Sequence, residues 1–170
     1  MEYQLHSHEF PPVWDMNSKV LILGSFPSVK SREEGFFYGH PRNRFWDVLA
    51  AVLSCRKPET INQKKEMLLT SHIALWDVVA SCEIKGSSDS SIRNVVPNDF
   101  TEILQESQIR NIFANGQTAG KLYHKYAEQK TGIPAAVLPS TSPANAAWQL
   151  ERLIAYYVKA LNPVLHGSVF

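Results

Sequence analysis

Four short apolar runs set the strongest limit on the fold of this chain. They occupy residues 20–23 (VLIL), 73–76 (IALW), 111–114 (NIFA) and 135–138 (AAVL). Each run carries apolar side chains at both odd and even positions, which is typical of strands buried on both faces of a parallel sheet. We therefore predict that these runs are the central strands.

Helical patterns separate the runs. Phe45, Val48, Leu49 and Val52 follow helical spacing, and a further helix is predicted to open at Gly116. Asn98 is a plausible N-cap before an acidic first turn.

The last helix is predicted to be capped by Ser142, with Pro143 in its first turn. Its apolar stripe comprises Leu150, Leu153, Ile154, Tyr157, Val158 and Leu161. Alternation of strands and helices favours right-handed crossovers and a three-layer α/β/α sandwich around a four-stranded parallel sheet. Without a linker or repeat, residues 1–170 are expected to form a single domain.

Composition excludes several classes of protein. A net charge of +1 and a pI near 7.8 give no general attraction for nucleic acid, so any polyanion site must be local. Only Cys55 and Cys82 occur, far apart, which argues against a disulfide framework, a structural zinc site or an iron–sulfur cluster. The first ten residues do not resemble a secretion signal, and no apolar run approaches the ~20 residues that span a bilayer. We expect a cytoplasmic protein that does not enter a membrane.

The loops that follow the predicted strands are the candidate binding region, because ligands bind beyond the carboxyl ends of parallel strands. Residues 24–28 (GSFPS) follow the first strand, Asp77 the second, 115–117 (NGQ) the third and 139–143 (PSTSP) the fourth. The segment 36–46 (FFYGHPRNRFW) should lie over the same edge. Its aromatics indicate either a core packed around a turn or a slot that grips a flat, polar-edged ligand.

These motifs carry a resemblance to a known family. Residues 24–28, the stretch YGHPRNRFW at 38–46 and LPSTSPAN at 138–145 resemble, in that order, the first motif, the Asn-bearing aromatic segment and the second motif of the uracil-DNA glycosylase superfamily. The nearest branch is the one that excises hypoxanthine from DNA, the DNA-deoxyinosine glycosylases. The resemblance covers roughly residues 10–160.

The resemblance implies an α/β/α fold and hydrolysis of the N-glycosidic bond by a monofunctional enzyme without metal or cofactor. One position departs from the mismatch-specific uracil glycosylases, which carry Asn where this chain has Phe26. In the hypoxanthine branch the catalytic amide comes from the aromatic segment, which by position is Asn43. Asp77 is the reserve candidate, should a general base be needed.

The remaining roles are also carried over by motif position or by loop position. An extracted base would be bound by Gly24, Ser25, Phe26, Pro27, Ser28, Phe37, Tyr38 and Asn115, with Phe36 as a further stacking candidate. The DNA itself would be bound by His40, Arg42, Arg44, Ser140, Thr141, Ser142 and Asn145. A polar insertion that includes Lys85, Ser87, Ser88, Ser90 and Arg93 could touch the DNA, or could be an ordinary loop ordered by Asp89.

The sequence thus predicts a DNA glycosylase that flips out and releases a deaminated base, hypoxanthine first, acting on DNA as a monomer. Two alternatives stay open: a uracil or mismatch-specific glycosylase of the same fold, and a catalytically silent α/β module that binds nucleic acid.

Overall fold

The structure, a computed structural model, describes residues 2–86 and 88–166. In chain order these residues form β1 (Gln4–Ser7), β2 (Val20–Gly24), α1 (Val29–Glu34), α2 (Phe45–Val52), α3 (Ile61–Thr70), β3 (Ile73–Asp77), β4 (Val79–Ile84), a 3₁₀ turn (Asp89–Ser91), β5 (Arg93–Pro97), α4 (Thr101–Gln105), β6 (Asn111–Asn115), α5 (Gln117–Tyr126), α6 (Glu128–Thr131), β7 (Ala135–Leu138) and α7 (Leu150–Leu165). Across this part of the chain, no helix combines the length and the apolar character needed to cross a membrane.

A parallel sheet in the order β3-β2-β6-β7 forms the centre of the molecule. Its strands are the four runs predicted from the sequence. The inner strand β2 is buried at every position, whereas the edge strand β7 is partly exposed. Their carboxyl ends carry Gly24, Asp77, Asn115 and Leu138, as the sequence pattern predicted.

Both faces of the sheet are covered, which confirms the α/β/α arrangement. On one face Ile22 packs with side chains of α2 and α7, including Leu49 and Tyr157. On the other face Leu23 packs with side chains of α4 and α5, including Tyr123. The apolar character of the strands at both parities follows from these two cores.

A second, antiparallel sheet in the order β1-β4-β5 was not predicted. It starts directly after the central sheet, because β4 begins two residues after β3 ends. The register between β4 and β5 is irregular, so the polar side chains there show no clean alternation in sequence. This sheet carries residues 88–90 to the same edge as the strand-end loops.

Two predicted helix caps are wrong. The last helix begins at Leu150 rather than after Ser142, because the carbonyl oxygens of Ser142, Asn145 and Trp148 accept hydrogen bonds from Arg44 and residues 143–148 form turns.

The second error concerns Asn98. Its side chain donates to the Asp77 carbonyl at 2.8 Å, and the Asp99 carboxylate accepts from the Thr101 backbone N–H at the start of α4 instead.

Candidate active site

A cleft of about 1180 Å³ opens at the carboxyl ends of the parallel strands. Its walls come from the segment after β2, the aromatic segment, the 3₁₀ turn and the loop between β7 and α7. The sequence-predicted site residues that line it are Gly24, Ser25, Phe26, Pro27, Ser28, Phe37, Tyr38, His40, Asn43, Asp77, Asn115, Ser140, Thr141, Ser142 and Asn145. Arg42 and Arg44 do not line it.

Asn43 is half-buried at the edge of the cleft, in the turn before α2. Its Oδ1 accepts a hydrogen bond from the Phe45 backbone N–H at 3.0 Å and another from the Thr141 hydroxyl at 2.8 Å. Because a backbone N–H can only donate, the atom facing it must be the amide oxygen. The Nδ2 group, which has no protein partner among the described residues, is therefore the donor available to a ligand.

Thr141 links three segments of the site. It is completely buried. Its backbone N–H donates to Asn115 Oδ1 at 3.1 Å, and its hydroxyl accepts from Asn115 Nδ2 at 3.0 Å while donating to Asn43. A hydroxyl can act as donor and acceptor at once, so one Thr fixes the orientation of two amides. Burial leaves this hydroxyl unavailable for the predicted contact with DNA.

Some aromatic rings of the segment 36–46 lie in the core, and others line the cleft. Phe36 stacks on Trp46 within the core, with ring centroids 6.1 Å apart, and does not line the cleft. Phe37 and Phe26 reach the cleft but are only 2% and 7% exposed. Tyr38 is partly exposed and stacks on Phe45, with centroids 4.2 Å apart. Since Phe45 covers one face of the Tyr38 ring, the other face is the surface that can stack on a planar ligand.

The Tyr38 hydroxyl is buried and has no hydrogen-bond partner within the described residues. Burial raises its pKa well above the usual value, the negative charge of Asp77 adds to the rise, and the nearby Asn115 amide opposes it. Tyr38 is therefore neutral. Its backbone is left-handed, with φ of 52°, a strained conformation of the kind found at binding sites.

Gly24 and Asp77 are paired across β2 and β3 at the floor of the cleft. A Cβ atom at position 24 would overlap Asp77 Oδ1 and lie 3.1 Å from the Tyr38 hydroxyl, so a side chain there would displace both groups. Asp77 Oδ2 lies 2.8 Å from His8 Nε2. The carboxylate is therefore held between a histidine and the backbone of the first motif.

Asp89 brings a second carboxylate to the cleft. Its Oδ1 accepts a hydrogen bond from the Ser25 hydroxyl at 3.0 Å. Loss of solvent around the carboxylate raises the pKa of Asp89, although the residue as a whole keeps exposed surface. The Ser25 hydrogen bond lowers this pKa, and the charge of Asp77 raises it further. Ser88 and Ser90 also line the cleft, whereas Ser87 lies outside the described residues.

Arg44 holds the loop between β7 and α7 in place. Its guanidinium donates to the backbone carbonyls of Thr141 (3.3 Å), Ser142 (2.8 Å), Asn145 (3.2 Å) and Trp148. A planar guanidinium with five N–H donors suits this arrangement. Engagement with these four carbonyls opposes the predicted contact with phosphate, because a phosphate would have to displace them.

Hydroxyl groups hold the shape of the loops themselves. Ser28 accepts from the Ser31 backbone N–H, Ser140 from that of Ser142, and Ser142 from that of Ala144, all at 3.1 Å. Asn145 donates to the Ser140 carbonyl at 3.0 Å. The serine O–H groups at 140 and 142 keep their own donor capacity.

Arg42 and His40 lie exposed beside the cleft, where the Arg42 backbone N–H donates to His40 Nδ1 at 3.1 Å. Within the described residues neither side chain takes part in an ion pair. Arg42 therefore supplies a positive charge at the rim of the cleft, with the His40 ring beside it.

Three functional positions were missed from the sequence. His8 was considered only as half of a poor metal pair with His6, and Tyr157 only as a residue of the apolar stripe, but His8 binds Asp77, and the Tyr157 hydroxyl donates to the Pro139 carbonyl at 2.8 Å. Asp89 was considered only as a loop residue. The long separations along the chain leave no local signal for any of these contacts.

Among residues 2–86 and 88–166, no group of three His, Cys, Asp or Glu side chains could hold a metal ion.

Comparison with known proteins gives one consistent family. The model of the uracil DNA glycosylase superfamily matches residues 11–165. A Methanosarcina acetivorans protein named hypoxanthine DNA glycosylase is 34% identical over 145 residues, which is 84% of this chain and 90% of that protein. A Methanosarcina barkeri protein of the same name is 33% identical over 140 residues, or 80% of this chain and 86% of that protein.

A solved structure agrees with these relatives. The solution NMR structure of a Methanosarcina acetivorans protein proposed to be a uracil DNA glycosylase superposes with a TM-score of 0.74 at 32% identity, covering 88% of this chain and 95% of that one. The chain therefore belongs to the uracil DNA glycosylase superfamily.

Proposed function

We propose that this protein is a DNA glycosylase that removes hypoxanthine, the deamination product of adenine, from DNA. Membership of the superfamily and the name shared by the two Methanosarcina relatives support the reaction and the substrate. The observation that carries the proposal is the Asn43 amide, whose oxygen is held by Phe45 and Thr141 so that its N–H donors are left for a ligand in the cleft.

The substrate base has to leave the duplex before it can reach this amide. Base flipping costs a few kcal/mol, which stacking and hydrogen bonds in the pocket must offset. The uncovered face of Tyr38 supplies the stacking surface, supported from behind by Phe45. Gly24 supplies close backbone approach at the floor, beside Asp77.

Asn43 acts on the departing base. Cleavage of the bond between C1′ and N9 leaves the electron pair on the purine and positive character on the sugar. A donor fixed before the reaction stabilises the negative charge that develops on the base edge. Nδ2 of Asn43 donates to that edge, water adds to C1′, and the water proton is released.

Asp77 is the candidate for the group that receives this proton, if a general base takes part. Its Oδ1 packs against Gly24, where there is no side chain, and its Oδ2 is held by His8. The carboxylate is therefore fixed at the floor of the cleft. The same negative charge favours a sugar that becomes positive.

DNA contacts divide between the rim and the loop. His40 and Arg42 are free to approach phosphates, while Ser140 and Ser142 offer hydroxyl donors beside them. We assign Arg44 and Thr141 to positioning. We further propose that one chain acts alone, because a single chain supplies every wall of the cleft. A cytoplasmic location stays a prediction from the sequence.

Uracil is the second candidate substrate, favoured by the solved relative proposed to be a uracil DNA glycosylase. Phe26 at the first motif argues against it, since an aromatic ring cannot position the attacking water as an amide would.

The test is alkali-induced strand scission of end-labelled duplexes that carry one deoxyinosine, deoxyuridine or deoxyxanthosine. The proposal predicts the fastest scission at deoxyinosine. Faster scission at deoxyuridine would assign the protein to uracil repair, and binding without scission of any lesion would make it a nucleic-acid-binding module.

A further inference from the structure

Asp89 occupies a position that the chemistry above does not use. It starts the 3₁₀ turn between β4 and β5, and its carboxylate reaches the cleft through the hydrogen bond with Ser25. Ser25 is buried and directly follows Gly24 at the end of β2. Asp89 and Tyr38, the stacking ring, line the same cleft. The carboxylate therefore lies in the cleft that would receive an extracted base.

A negative charge is costly at this position. Within the described residues Asp89 forms no ion pair, it lies near the carboxylate of Asp77, and the loss of solvent disfavours its charged form. It also repels the phosphates of DNA. A neutral Asn has a side-chain oxygen that could also accept the Ser25 hydrogen bond, so holding the turn in place does not require the charge. The charge indicates a ligand that donates a hydrogen bond.

Deamination of adenine creates such a donor. Adenine presents a lone pair at N1 and an amino group at C6, whereas hypoxanthine presents N1–H and a carbonyl oxygen. An ionised carboxylate only accepts hydrogen bonds. It is therefore complementary to N1–H of hypoxanthine and repels the N1 lone pair of adenine, which combines attraction for the lesion with rejection of the normal base.

We infer, on the basis of the proposed function, that Asp89 accepts a hydrogen bond from the N1–H group of the flipped base. This contact would determine that hypoxanthine, and not adenine, is excised. Asn43 supplies the opposite half of the pattern, because its Nδ2 donates where hypoxanthine carries acceptors. Ser25 orients the carboxylate by donating to one oxygen, which leaves the other for the base. Guanine also carries N1–H, so this contact separates the lesion from adenine alone.

Asp89→Asn is the decisive variant. The Asn oxygen can still accept from Ser25, so the turn keeps its contact, but the other end of the side chain becomes a donor that faces N1–H. Single-turnover excision of deoxyinosine is expected to fall about 100-fold, because a site built for a hydrogen bond discriminates strongly once that bond cannot form. Binding to a duplex with an abasic site is not expected to weaken, because no base is present to be read and the substitution removes a negative charge.

Two comparisons complete the test. Glu66→Gln removes an exposed carboxylate from α3, outside the cleft, and is expected to leave excision unchanged. A duplex with N1-methyldeoxyinosine lacks the N1–H group, and the Asp89→Asn substitution should change its slow excision far less than that of deoxyinosine.

The outcomes separate this inference from the proposed function. Wild type that fails to cut deoxyinosine would refute the proposed function itself. Wild type that cuts deoxyinosine, together with an Asp89→Asn variant that cuts it as fast, would refute the inference alone. Parallel loss of excision and of abasic-site binding in the variant would also refute it, by giving Asp89 a structural role.

Discussion

At the scale of single residues, the cleft depends on side chains that fix the orientation of one another. Thr141 turns the amides of Asn43 and Asn115, Ser25 holds Asp89, and His8 holds Asp77. Such buried polar networks are specific only when every member is satisfied. Loss of one hydroxyl or carboxylate should therefore affect groups that do not themselves touch the ligand.

Thr141→Val tests this dependence because valine keeps the shape and removes the hydroxyl. We expect a loss of about 1–3 kcal/mol in the free energy of unfolding, since two half-buried amides lose a partner. Excision of deoxyinosine should fall about 10-fold, because Asn43 can then turn away from its productive orientation. Urea unfolding and single-turnover kinetics measure the two effects. Thr141→Ser, which restores the hydroxyl, should recover most of the rate; a serine variant as slow as the valine variant would contradict the hydrogen-bond account.

Asp89 should lower stability at neutral pH. Loss of solvent raises its pKa in the folded protein, so folded Asp89 keeps its proton at pH values where the unfolded chain has lost it. The free energy of unfolding therefore falls as pH rises from the ordinary Asp pKa through the raised one. Asp89→Asn removes this effect, and its Tm at neutral pH should exceed that of wild type.

The pH series gives the control for this prediction. The difference in Tm between Asp89→Asn and wild type should vanish as pH falls below the ordinary Asp pKa. Asp99, whose pKa is lowered by the Thr101 hydroxyl and backbone N–H, should show no gain in Tm at neutral pH when changed to Asn. A neutral-pH Tm of Asp89→Asn below that of wild type would contradict the account.

At the scale of elements, the irregular loop between β7 and α7 is held by hydrogen bonds from residues outside it. Arg44 binds four of its carbonyl groups, and Tyr157 binds the carbonyl of Pro139 at its start. These contacts keep the loop beside Asn43, and they replace the helical bonds that the sequence pattern predicted for residues 143–149. The guanidinium of Arg44, the residue just before α2, thus limits where α7 can begin.

Arg44→Lys should therefore destabilise the protein although it keeps the charge. A lysine cannot reach four carbonyls at once, and we expect a loss of about 2–3 kcal/mol in the free energy of unfolding. Arg42→Lys is the matched control two residues away, and its exposed side chain predicts a change within about 0.5 kcal/mol. Equal effects of the two substitutions in urea unfolding would refute the role assigned to Arg44.

At the scale of the whole molecule, a net charge of +1 leaves DNA affinity to a local group of cations. Arg42 is an exposed cation beside the cleft, while the cleft itself carries Asp77 and Asp89. Phosphates are thus attracted to the rim and not to the pocket. This separation favours a backbone path along the rim with only the base inserted.

Arg42→Ala should weaken binding to every DNA sequence and reduce the slope of log affinity against log salt concentration by about 1. Lys19 is an exposed cation just before the amino end of β2, at the end of the strands opposite the cleft. Lys19→Ala should therefore leave the slope unchanged. Fluorescence anisotropy across a salt series measures both. Identical slopes for wild type and Arg42→Ala would remove Arg42 from the DNA contact.

Much of this architecture could be predicted because it is encoded locally. Apolar runs such as 20–23 identify buried parallel strands, and strand order then brings Gly24, Asp77 and Asn115 to one edge. Contacts between distant residues could not be predicted in this way. His8 with Asp77, Ser25 with Asp89 and Arg44 with the loop after β7 are pairs separated by 64 residues or more, and no local spacing signals them. The two predicted caps failed through distant partners as well: the Asn98 side chain binds the Asp77 carbonyl, and Arg44 binds the backbone carbonyls that follow Ser142.

The most direct test of the central claim is single-turnover excision of deoxyinosine by Asn43→Ala, with Asn62→Ala on the exposed face of α3 as control. The account predicts that Asn43→Ala loses about 10²–10³-fold in rate, the usual effect of removing one preorganised donor. It also predicts that this variant still binds an abasic-site duplex and that Asn62→Ala cuts as fast as wild type. A wild-type rate in Asn43→Ala would contradict the claim that this amide performs the chemistry.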